Sequence, residues 1–139
     1  MSEHIHPNVK KVQRLFKTLL SAESGEKKLA TFQEIVHEDA VWNFPGKKNQ
    51  LVGSHKGRDA ILRDFLMKVM VLTDNTFSMD FEDVLANDNY AVAFWIGKGK
   101  RNEKELNNPT CLKIKFKDDK IIKLDEFVWD LDHVEEFWT

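Results

Sequence analysis

The chain has 139 residues, the length of one domain, and a domain of that size buries about two-thirds of its unfolded surface. Hydrophobic residues at 42% and aromatic residues at 11% exclude a disordered or collagen-like chain, and ten Phe and four Trp against one Tyr suit a thick core or a dry cavity wall. A net charge of -2, from 21 basic and 23 acidic residues, argues against nucleic acid as the main partner.

The elements follow in chain order. Residues 1–8 read as loose. Val9, Val12, Leu15, Phe16, Leu19 and Leu20 then recur at spacings of three and four, with Lys10, Lys11, Arg14 and Lys17 opposite. That pattern predicts an amphipathic helix with Asn8 as its N-cap, ending near Ser24-Gly25. A second helix follows on a stripe of Leu29, Phe32, Ile35 and Val36. Ala40 to Phe44 alternates as a strand that Pro45-Gly46 ends, and a polar loop runs to Gly57. Helical spacing returns from Arg58 through Ile61, Leu62, Phe65, Leu66, Val69 and Met70, and closes at Thr73-Asp74-Asn75. Four strands follow, over Thr76–Leu85, Tyr90–Lys98, Leu106–Phe116 and Lys120–Trp129, with Asn87-Asp88-Asn89, Asn102-Glu103 and Asp118-Asp119 as turns. Leu131 to Trp138 reads as a short helical tail.

This order predicts one α+β domain over residues 1–139, with about three helices covering one face of a strongly curved antiparallel sheet. A sheet that long twists, and helices across its concave side leave a cone with a cavity. The basic clusters at 47–58 and 98–104 read as solvated loop tips. The single cysteine, Cys111, forms no internal disulfide and fits a reducing compartment, where it serves as a small buried hydrophobe. The polar N-terminus and the lack of a long apolar run give a cytoplasmic protein without a membrane span as the expectation.

Among polar residues Glu126 stands out, because it sits in a strand end rich in aromatic side chains. Leu124, Glu126 and Val128 share one face of that strand, and Lys123, Asp125, Phe127 and Trp129 share the other. If the first set lines the cone, Glu126 occupies an apolar cavity, its pKa rises, and it becomes a usable general acid or base. The structural alternative is an ion pair with Lys113 or Lys115. Trp42, Phe44 and Trp95, with Leu124 and Val128, are the candidate pocket wall. His55, in the loop before the third helix, is a candidate partner at the cavity mouth or a plain surface residue. Asp130 is either a further acid or the N-cap of the tail helix. Tyr90 falls at the rim of the sheet. His4, His6, His37, His55 and His133 lack metal-ligand spacing, so neither a metal site nor a cofactor is expected.

The run Trp42-Asn43-Phe44-Pro45-Gly46, then Gly53, Gly57 and Ala60-Ile61, resembles the first strand, loop and third helix of SnoaL-like proteins. Asn107-Asn108-Pro109-Thr110-Cys111 before KIKF, and DDKIIKLDEFVWDL before FW, resemble the last two strands and tail of that family. The SnoaL-like proteins belong to the nuclear transport factor 2-like superfamily, together with ketosteroid isomerase. The resemblance implies a conical α+β barrel and a homodimer through the exposed sheet face. It also implies a pocket used for isomerisation, cyclisation, dehydration, epoxide hydrolysis or ligand binding, with a small apolar or carbonyl-containing molecule as partner.

The three catalytic positions of ketosteroid isomerase align with Leu15, Phe44 and Leu112, all apolar, so that design is absent here. The Arg-acid-Tyr pattern of polyketide cyclases and limonene-type epoxide hydrolases becomes Asp125-Glu126-Phe127, which keeps the acid alone. Two functions therefore stand open. One is a cofactor-independent isomerase, cyclase or hydrolase using Glu126; the other is a dimeric binding or interaction module with a vestigial pocket. An open cone with an unpaired Glu126 favours the first, and a filled cone with Glu126 in an ion pair favours the second.

Overall fold

The computed structural model describes residues 5–139; His4 lies outside them. Helix α1 (Pro7–Leu19) begins earlier than its periodicity implies. His6, not Asn8, caps it, with its ring accepting from the Asn8 N–H, and Pro7 fills the first turn, where no N–H is needed. The Asn8 side chain instead donates to the Asn87 carbonyl at 3.0 Å, which ties α1 to a turn of the sheet. Helix α2 (Gly25–Ile35) carries the Ser24 cap and passes without a loop into strand β1 (Val36–Phe44). Val36 therefore belongs to the strand, and Leu29, expected in the core, stays 39% exposed.

The polar loop after β1 contains a short edge strand, β2 (Gly53–Lys56), paired antiparallel with β1. It has no hydrophobic alternation, so only its partner reveals it. The predicted third helix comprises α3 (Arg58–Ala60), a π-helical turn and a half (Ile61–Leu66), and α4 (Met67–Leu72). The widened segment presents Leu62, Phe65 and Leu66 to the interior, and such π segments occur often at functional sites.

Strands β3 (Ser78–Ala86), β4 (Tyr90–Arg101), β5 (Lys104–Lys117) and β6 (Lys120–Val128) form an antiparallel meander, and α5 (Leu131–Trp138) closes the chain. The two tight turns hold Asn102-Glu103 and Asp118-Asp119 at φ of 49° and 65°, and of 52° and 62°. Positive φ at both central residues matches the right-handed twist of the flanking strands, which is why Asn and Asp recur there. Among the described residues the six strands lie in the order β2-β1-β6-β5-β4-β3, with β1 parallel to β6 as the single parallel joint. Bulges between Phe81 and Asp83 and between Lys115 and Phe116 bend the sheet so that it wraps the helices.

Inward-facing residues alternate along the strands: Ala91, Ala93 and Trp95 on β4, Leu106, Leu112 and Ile114 on β5, and Leu124 on β6. They meet Val12, Leu15 and Phe16 of α1, Phe32 of α2, and Phe137 and Trp138 of α5 in one core. No helix among the described residues is long and apolar enough to cross a membrane.

Candidate functional site

The helices do not fill the wide part of the wrapped sheet, and a cavity of about 400 Å³ remains. Its wall is aromatic. The Trp42 ring stacks on Phe65 with centroids 4.9 Å apart, Phe44 meets the other edge of Phe65 at 5.4 Å, and Phe16 bridges Trp42 and Trp95. A wall of rings held by one another stays open, because none can rotate into the space without breaking several contacts.

Glu126 opens into this cavity from β6. Its ladder partner is Leu112, while Lys113 and Lys115 point to the exposed face, so no lysine reaches it. The Trp42 indole N–H donates to its Oε1 at 3.1 Å, which leaves the other oxygen to the cavity. Burial among apolar groups pushes the carboxyl up to about 8, with the Trp42 hydrogen bond opposing the rise. At neutral pH Glu126 therefore holds its proton and can give it; above that value it is a base. Trp42→Phe keeps the ring stack and removes the donor. The expected result is a still higher Glu126 pKa, read from the carboxyl carbon shift in an NMR titration; an unchanged titration counts against the hydrogen bond.

The other sequence candidates are distributed as follows. Trp42, Phe44 and Trp95 line the cavity. Leu124 does not: it is 1% exposed and packs in the narrow, filled end of the cone. Val128 borders a separate shallow depression beside Thr110, Cys111 and Trp129. Of the β6 residues only Glu126, two positions beyond Leu124 toward the strand's C-terminal end, borders the open space. His55 on β2 does not line the cavity; its Nε2 meets the Leu51 carbonyl at 2.7 Å and its ring packs on Phe65. Asp130 caps α5, accepting from the His133 N–H at 3.1 Å. Tyr90 starts β4 at the rim, half exposed. Cys111 is half-buried on the outer face, not in the core, and burial raises its thiol pKa. No group of three or more metal-ligating side chains converges among the described residues.

Sequence reasoning missed Leu62, Met70 and Asn108 as cavity wall. The first two carry the same signal as any core helix residue. Asn108 carries one legible sign, an Asn at an inward position of an alternating strand.

The model of the SnoaL-like domain family matches residues 12–124. No match emerges among curated proteins. Among solved structures, Bal32a from a soil-derived mobile gene cassette is 28% identical, with a TM-score of 0.84 over 95% of this chain and 96% of that one. A candidate SnoaL-like polyketide cyclase from Jannaschia sp. CCS1 is 16% identical, with a TM-score of 0.71 over 99% and 97%. TerC co-crystallised with polyporic acid is 14% identical, with a TM-score of 0.77 over 95% and 98%.

Proposed function

The chain belongs to the SnoaL-like domain family, and from that premise we propose that its cavity binds a small, largely apolar carbonyl compound on which Glu126 performs proton transfer. The observation that carries this reading is a carboxyl in an aromatic cavity, hydrogen-bonded by Trp42 and not ion-paired with any described residue. An uncharged neighbourhood keeps the proton mobile near neutral pH, whereas an ion pair would hold the carboxylate ionised. TerC, similar in fold, is co-crystallised with polyporic acid, which supports an organic small molecule as the ligand class.

In the proposed step the ionised Glu126 takes a proton from the carbon next to a carbonyl, and the resulting carboxyl returns it to another atom of the same molecule. Isomerisation and ring closure both need that shuttle, and neither needs a redox change. The test is exchange of α-protons for deuterium, followed by NMR over a panel of aryl ketones and β-diketones. Enzyme-dependent exchange supports the reading. Binding without exchange supports the alternative of a pocket that only holds its ligand.

We further propose that the protein works as a homodimer through the outer sheet face. Two apolar rows cross that face: Phe94, Cys111 and Phe127 in register, then Ile96 and Pro109 with Trp129, whose N–H donates to the Pro109 carbonyl at 3.0 Å. Phe127 is 57% and Trp129 87% exposed, an arrangement that soluble monomers rarely keep. Phe127→Lys with Trp129→Lys is expected to convert a dimer to a monomer in sedimentation velocity. A monomeric wild type at micromolar concentration would dismiss the dimer.

A further inference from the structure

Asn108 is 5% exposed, yet its Oδ1 has no hydrogen-bond partner. Buried polar atoms are almost always paired, and an unpaired acceptor weakens the fold. No protein donor among the described residues stands beside it. The residue facing it on β4 is Gly97, which offers no side chain, and both residues line the cavity. A Cβ on Gly97 would stand 3.6 Å from Phe77 Cε2 and 3.7 Å from the Asn108 Cβ and backbone oxygen, none of them a hydrogen-bond donor. The nearest hydroxyl along the strand, Thr110, donates to the backbone carbonyl of Asn108 at 3.0 Å and not to its side chain. The amide thus borders a largely apolar cavity in which, among the described residues, Glu126 is the one acidic lining residue and Lys28 and Asn75 are the other polar ones.

Building on the proton-transfer reading above, we propose that Asn108 is a second polar anchor of the cavity. Its side-chain Oδ1 accepts from a hydroxyl of an elongated, otherwise apolar ligand whose carbonyl end lies at Glu126. The register sets the length. Leu112 pairs with Glu126, and Asn108 lies four residues back along β5, on the same face. With a rise of about 3.3 Å per residue and about 4.8 Å between strands, the two Cα atoms stand roughly 14 Å apart. Both side chains reach inward and shorten that gap. A hydroxyl and a carbonyl at opposite ends of a two-ring scaffold match it; a short keto acid does not.

The test compares 2-acetylnaphthalene with 6-hydroxy-2-acetylnaphthalene by isothermal titration calorimetry. Wild type is expected to bind the hydroxylated ketone about tenfold more tightly, the effect of one buried hydrogen bond that would otherwise stay unmade. Asn108→Leu is expected to abolish that preference, keep or improve affinity for 2-acetylnaphthalene, and raise the melting temperature by a few degrees. Equal binding of the two ketones by wild type overturns the anchor and leaves the cavity reading standing; this comparison needs no variant. A preference that survives in Asn108→Leu, or a lower melting temperature for that variant, also overturns it. Failure of both ketones to bind overturns the anchor together with the reading on which it rests.

Discussion

Glu126→Gln is expected to abolish proton exchange on any substrate found and, at pH 7, to make the protein more stable. Both effects come from the same desolvated carboxyl. The native state keeps the Glu126 proton up to about pH 8, while the unfolded chain releases it near the ordinary glutamate value of about 4.3. Between those values the folded protein binds more protons than the unfolded one, so wild-type stability falls as pH rises. At about 1.4 kcal/mol per pH unit, the loss at pH 7 approaches about 4 kcal/mol.

Glutamine has the same shape, still accepts from Trp42 through its carbonyl oxygen, and does not ionise. The variant should match wild type near pH 4 and exceed it increasingly up to pH 8, by roughly 15 °C in melting temperature at the maximum. The measurement is a pair of melting curves across pH 4–9. Parallel curves would mean that Glu126 ionises freely, and the acid/base proposal would lose its basis. A variant less stable at every pH would mark Glu126 as a structural hydrogen-bonding residue. For the wild-type protein, the proposed base catalysis by Glu126 requires a rate that climbs with pH and levels off above about 8.

The second large effect is expected at Gly46. Its φ of +123° lies in a region that residues with a Cβ rarely adopt, and a Cβ there would collide with the Glu135 carboxylate and the Asn49 amide. Those two groups are the strap of the 45–52 loop. Glu135 on α5 accepts from the backbone N–H groups of Lys47 and Lys48 at 3.0 Å each, from Asn49 at 3.3 Å, and from the Asn49 side chain. The Asn49 Oδ1 then accepts from the Leu51 N–H at 2.9 Å, and Leu51 is fully buried as part of the cavity wall.

Gly46→Ala thus combines backbone strain with loss of the strap and is expected to cost about 3 kcal/mol, roughly 10 °C in melting temperature. A loss under 2 °C would mean that the loop re-forms without its nest. The Asn49 hydrogen bond, and then the three backbone donors, hold the Glu135 carboxyl below the ordinary glutamate range. Its contribution is therefore complete above that range and fades as pH falls through it. Glu135→Gln should remove that acid-side dependence while leaving Gly46 unstrained.

The parts of this molecule written in local sequence were readable from it. The three-and-four spacing of Val12, Leu15 and Phe16 gives a helix face within a few turns of chain, and Asp118-Asp119 supplies left-handed turn residues between two alternating strands. Alternation alone put Glu126 on one face of its strand with Leu124, because the side-chain period of a strand is two. What alternation could not assign was which stretch of that face meets open space. The taper of the cone buries Leu124 and opens Glu126, two residues apart.

Nor could any local pattern join Trp42 to Glu126, which are 84 residues apart in sequence and meet because β1 runs parallel to β6. The short strand β2 exists only because β1 offers it an edge, and the unpaired amide of Asn108 follows from Gly97 standing opposite in the β4–β5 register. Helix faces and tight turns are settled by neighbours in sequence. Cavities, hydrogen-bond partners and perturbed acids are settled by long-range register, which a single sequence leaves open.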